Sequence, residues 1–135
     1  MGEIRFDTGV RTYDLNGACE VRFNPTDLDF AERLCDVFAQ LEQRGADRAA
    51  TGDAGAVFAR GRALDAEMRE LIDGLFSAPV CQALFGGMNV YAMAGGLPVW
   101  CNLLLAVMDE IREAVAAESA EISPRIAAYT AKYRR

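Results

Sequence analysis

The chain has 135 residues, 52% of them hydrophobic, and a formal net charge of −6. That length is enough for one domain that buries a core without disulfides or metals, and the composition is globular rather than disordered. An acidic chain argues against general binding to nucleic acid or to anionic membranes. The charge is uneven: Pro124 to Arg135 carries Arg125, Lys132, Arg134 and Arg135 with no acid, and this +4 tail leaves −10 on the rest.

The predicted elements begin with strands. Arg11 to Leu15, Asn16-Gly17 and Ala18 to Phe23 read as a β-hairpin. Asn-Gly is the preferred pair for a two-residue turn, because both positions need positive φ. Such a loop sets Leu15 opposite Ala18, Tyr13 opposite Glu20 and Arg11 opposite Arg22. The other face carries Val10, Thr12, Asp14, Cys19, Val21 and Phe23, and is the expected core side. Ile4 and Phe6 alternate with polar residues and suggest a short third strand. A lone hairpin is marginal in water, so this region, residues 1–23, must pack on helices.

Residues 24–121 read as a helical body. Asn24-Pro25-Thr26-Asp27 opens the first helix, with Asn or Thr as cap and Asp27 and Asp29 at the positive end of the dipole. Leu28, Ala31, Leu34, Cys35, Phe38 and Leu41 recur at helical spacing, and Gly45 is the expected C-cap. Residues 45–55, GADRAATGDAG, read as a linker or mobile loop. A second helix spans about Ala56 to Phe76, with Val57, Leu64, Met68, Leu71, Ile72 and Leu75 as its stripe. Gly61 lies on the same face, as a close helix crossing or as a tolerated glycine.

The stretch from Pro79 to Met108 has no charged residue, although a quarter of the chain is charged. It holds three of the five methionines, the only tryptophan and two of the four cysteines. A short third helix from Ser77-Ala78-Pro79 stops at Gly86-Gly87. A further short segment, Met88 to Ala94, stops at Gly95-Gly96. The longest helix then runs from Pro98 to about Ala120, on a stripe of Trp100, Leu103, Leu104, Val107, Ile111, Ala114 and Val115. Its C-terminal acids oppose the dipole, so that end frays or meets a basic partner. Residues 122–135 form a basic last helix after Ser123-Pro124. The glycine breaks and Pro98 exclude a membrane span in the uncharged stretch.

The chain has no histidine, which removes the commonest general base, the Ser-His and Cys-His pairs and most zinc sites. Cysteines 19, 35, 81 and 101 make no CxxC pair and are expected as free buried thiols in a reducing cytoplasm. The N-terminus lacks the apolar segment of a signal peptide. Acid pairs such as Asp27 and Asp29 fall on polar helix faces, where solvation is the ordinary role. The glycine runs match no phosphate-binding fingerprint. No catalytic site, cofactor or metal is expected. Partner binding is the remaining chemistry. Tyr91, Met93, Leu97, Val99 and Trp100 could form a soft docking surface or plain core, and core is the commoner use of such residues. Ile126, Tyr129 and Tyr133 lie on one side of the basic tail, which suits an acidic partner or the chain's own acidic body.

NPTDLDFAERL after an N-terminal hairpin, EMRELIDGLFSAPVCQALFG, MNVYAMAGGLPVWCNLLLAVMDEI and PRIAAYTAKYRR together resemble small proteins of siphophage and Gram-positive prophage tail modules. The resemblance covers about Asn24 to the end, and its motifs are structural, not catalytic. It implies a tail assembly chaperone, made in the cytoplasm of the bacterial host. Such a protein binds the hydrophobic tape-measure protein, keeps it soluble and helps tail-tube subunits polymerise around it. A homo-oligomer wrapped around that partner would suit this role. Two other classes stay open: a structural tail or connector subunit, and an acidic inhibitor of a host defence protein. The expected fold is a single α+β domain, mainly α-helical, with the hairpin packed on a bundle of about four to five helices.

Overall fold

The structure is a computed structural model, and it describes residues 1–46, 52–120, 126 and 128. Strand β1 (Arg11–Leu15) pairs antiparallel with β2 (Cys19–Phe23). Asn16 and Gly17 take positive φ, 53° and 70°. The Ala18 N–H closes the turn on the Leu15 carbonyl at 2.9 Å, and the Asp14 carboxylate accepts the Gly17 N–H at 2.9 Å. The ladder resumes one residue later than expected: Leu15 faces Cys19, Tyr13 faces Val21 and Arg11 faces Phe23. Ala18 is the extra residue. A slip of one moves every side chain of a strand to the other face. Tyr13 and Leu15 therefore join Cys19, Val21 and Phe23 against the core, while Val10, Thr12 and Asp14 are exposed. Ile4 and Phe6 form no strand and lie in solvent.

Helix α1 (Leu28–Ala46) starts one turn later than Asn24. Asp27 is its cap, accepting the Asp29 N–H at 3.0 Å. Asn24 instead holds the approach: its side chain accepts the Thr26 N–H and donates to the Thr8 carbonyl, both at 2.8 Å. The buried face is Phe30, Leu34, Val37 and Leu41. This is rotated from the predicted stripe, so Leu28 is 81% exposed and Cys35 faces water. The rotation follows from Phe30 and Val37, whose volumes outweigh Ala31 and Cys35 in driving burial. Gly45 is not a cap. It lies inside the helix, where a methyl group would sit 3.0 Å from Tyr91 Cε1.

Helix α2 (Ala54–Phe76) is capped by Asp53, whose side chain accepts the Ala56 N–H at 2.8 Å. It ends at Ser77, in the left-handed region at φ 54°. Helix α3 (Val80–Phe85) follows, and Asp73 of α2 accepts the Cys81 N–H at 3.0 Å near its start. Strands β3 (Met93–Ala94) and β4 (Leu97–Pro98) then make a minimal hairpin about Gly95-Gly96, both at positive φ. Helix α4 (Val99–Ala120) completes the described fold. The fold is thus α+β and mainly helical, with four helices among the described residues.

Helix α1 packs on α2 and α4, and α3 packs on α2 and β2. Leu34, Leu41, Met68, Ile72 and Leu104 are among the fully buried side chains, each contributing about 2 kcal/mol over an exposed position. Two aromatic groups reinforce this core. Phe23 stacks on Phe30 at 4.5 Å and on Tyr13 at 4.7 Å, fixing the hairpin to α1. Trp100 meets Phe38 edge-on at 5.0 Å and Tyr91 at 6.3 Å, fixing α4 to α1. Val115 of the predicted α4 stripe is exposed, beyond the reach of these contacts. Near the far end of α4, Glu118 meets a basic partner, Arg11 of β1, at 3.4 Å.

Candidate interaction surface

The connector between α3 and α4 is held by side chains of α2. Asp65 pairs with Arg69 at 3.0 Å, and each side chain is less than one-fifth exposed. The other Asp65 oxygen accepts the Val90 N–H at 2.7 Å. Arg69 donates to the carbonyls of Gly86, at 2.7 Å, and Met88, at 2.6 Å. Asn89 donates to the Gly61 carbonyl at 3.2 Å and accepts the Tyr91 N–H at 2.9 Å. Irregular backbone at a protein surface needs such partners for its polar groups. Here α2 supplies them at spacings of one helical turn: 61, 65, 69.

This clamp divides the predicted docking residues. Tyr91 and Trp100 are core side chains, and Tyr91 donates to the Leu41 carbonyl at 2.8 Å. Val99 is half-buried. Met93 and Leu97, on the small hairpin, are 60% and 39% exposed, and Met88 is 50% exposed. Ile126 is exposed. Tyr129 and Tyr133 lie outside the described residues. Val90 and Tyr91 turn inward together, while Met88 before them and Met93 to Leu97 after them stay at the surface.

A second exposed apolar feature was not singled out from the sequence. The α2 stripe of Leu64, Met68, Ile72 and Leu75 is buried, but its N-terminal continuation is not. Val57 is half-buried and Phe58 is 63% exposed. With Gly61, Arg62 and Asn89 they line an open groove of about 400 Å³. No described residue lies within 4 Å of the place a Gly61 methyl would take, so no described helix crosses closely there. The signal for this groove was Phe58 beside a glycine on an otherwise alanine-rich turn.

The described residues hold no group of three or more His, Cys, Asp or Glu that could bind a metal. No helix among them is long and apolar enough to cross a membrane. Cys81 and Cys101 are buried, Cys19 is half-buried and Cys35 is exposed. Burial, with the Asp73 carboxylate beside it, pushes the Cys81 thiol up to about 12, so it stays protonated and is a poor nucleophile. Burial also raises Cys19 and Cys101. The Tyr13 hydroxyl is buried beside a cavity of about 140 Å³ that Glu110 also lines, with no hydrogen-bond partner in place. Burial raises its pKa. No protein-family model, curated protein or solved structure matches the chain.

Proposed function

We propose that this protein is a phage tail assembly chaperone, which binds the tape-measure protein in the bacterial cytoplasm and keeps it soluble while tail-tube subunits assemble. The observation that carries this reading is the display of Met88, Met93 and Leu97 on a connector pinned to α2. Methionine and leucine on a firm support make an adaptable apolar contact for many helical segments in turn. The acidic remainder of the chain would keep such a complex dispersed. The sequence resemblance over Asn24 to the end points the same way.

The test is co-expression with the tape-measure protein of the same phage. Substituting Tyr91 or Trp100 would damage the core, so Met93→Asp with Leu97→Asp is the informative variant. It is expected to fold normally and to recover less than about one-tenth of the wild-type soluble complex, since exposed positions carry little stability. An undiminished complex would move the contact elsewhere. An insoluble tape-measure protein with wild-type partner present would sink the chaperone reading.

A further inference from the structure

The end of the α2 stripe that the described residues leave open has a definite electrostatic character. From Ala54 to Leu64 the helix has no acid and two arginines, Arg60 and Arg62, in a chain of net charge −6. Arg62 lines the groove one helical turn from Phe58. The acid best placed to neutralise it, Asp65, is already engaged by Arg69 and by the Val90 amide. The acid before it, Asp53, is spent on the Ala56 N–H. Arg62 is left with no ion pair among the described residues. The groove floor is bare at Gly61, and its far wall is the Asn89 side chain, fixed by the Gly61 carbonyl.

We propose that this groove docks an amphipathic helix of a partner protein, whose apolar stripe sits on Val57, Phe58 and Gly61 and whose flanking carboxylate pairs with Arg62. This rests on the reading of the protein as a binder of helical partners, and it assigns that binding a second surface with its own charge preference. A bare glycine floor admits a side chain from the incoming helix, in the manner of knobs entering holes. The unpaired guanidinium selects a carboxylate against the net repulsion of an acidic chain. A basic helix would gain from the overall charge and lose at Arg62, so the two contributions are separable.

The experiment uses the full chain and two synthetic peptides of about 20 residues, long enough to form a helix in water. Both carry the same leucine stripe, flanked by Glu in one and by Lys in the other. Titration is followed by backbone amide shifts at about 0.1 M salt, where an exposed ion pair is only partly screened. The Glu peptide is expected to bind roughly two- to fivefold tighter, with shifts centred on Val57, Phe58, Gly61 and Asn89. Arg62→Glu should reverse that preference. Gly61→Leu fills open space and raises helix propensity, so it should keep the fold while weakening both peptides about tenfold or more. Equal affinities, no binding, or shifts centred on Met93 and Leu97 would overturn the groove. Discriminating peptides beside a failed tape-measure complex would leave the groove standing and sink the chaperone. The converse pair of results would do the opposite.

Discussion

The two halves of α2 carry the same apolar spacing and meet different surroundings. From Asp65 onward the helix is buried on one face and clamps the connector with its polar side chains. Before Leu64 the stripe continues through Gly61 and Val57, which the described residues leave only half-buried. The difference teaches that periodicity predicts which face of a helix is apolar, not how far along it the core extends. An apolar end left uncovered is a place to look for a partner.

The sharpest way to break this contrast is to truncate one residue in each half. Ile72→Ala, at a fully buried position, should cost about 3–4 kcal/mol in urea unfolding. Phe58→Ser should change stability by less than about 0.5 kcal/mol, since its ring is mostly in water. If Phe58→Ser proved as costly as Ile72→Ala, the groove would be core.

The clamp comes next in size. Asp65→Ala removes the acceptor of the Val90 N–H and strands Arg69, and should cost about 2–3 kcal/mol. The same urea melts would show it, and faster amide exchange at Val90 would locate it. Gly45→Ala forces a methyl against the Tyr91 ring and should cost about 1 kcal/mol, although alanine favours a helix. Removing the opposing ring, as in Tyr91→Leu, should erase the Gly45→Ala penalty in a double-mutant cycle.

The smallest effect is chemical. Cys81 has a folded pKa raised to about 12 from an ordinary thiol value of 9.0. Its contribution to stability is therefore fully present below pH 9 and is lost as pH rises from there towards 12, because only the unfolded chain readily releases the proton. At neutral pH a thiol reagent should modify exposed Cys35 first and reach Cys81 only on unfolding. Peptide mapping after brief labelling checks the order.

Helix positions were legible in the sequence because apolar stripes and glycine breaks agree within α2, α3 and α4. The hairpin was legible as an element but not in register. Asp14 binds the Gly17 N–H and admits Ala18 as an extra residue, a side-chain choice that Asn-Gly alone does not reveal. The face of α1 was misjudged because Leu28 and Cys35 fit the period, while Phe30 and Val37 fit it with more volume. The connector was the least legible. Its shape depends on Asp65, Arg69 and Asn89, residues 17 to 28 positions from their bonding partners. On polarity alone, Asp65 and Arg69 are indistinguishable from an ordinary solvated pair at helical spacing. The groove escaped for the reverse reason: it is an absence of cover by the described residues, which only a fold can display.

Trp100 gives the molecule a built-in optical gauge. It is the only tryptophan, its indole is buried, and its N–H has no hydrogen-bond partner. A dry indole emits at short wavelength, and contact with water moves the emission to the red. Its backbone N–H is bonded to Val90 of the clamped connector, and its ring rests on Phe38 of α1. Intrinsic fluorescence therefore watches the joint between connector and helices without any label. A partner that lifts the connector from α2 would announce itself as a red shift, whereas one that merely settles on its outer surface would leave the colour unchanged.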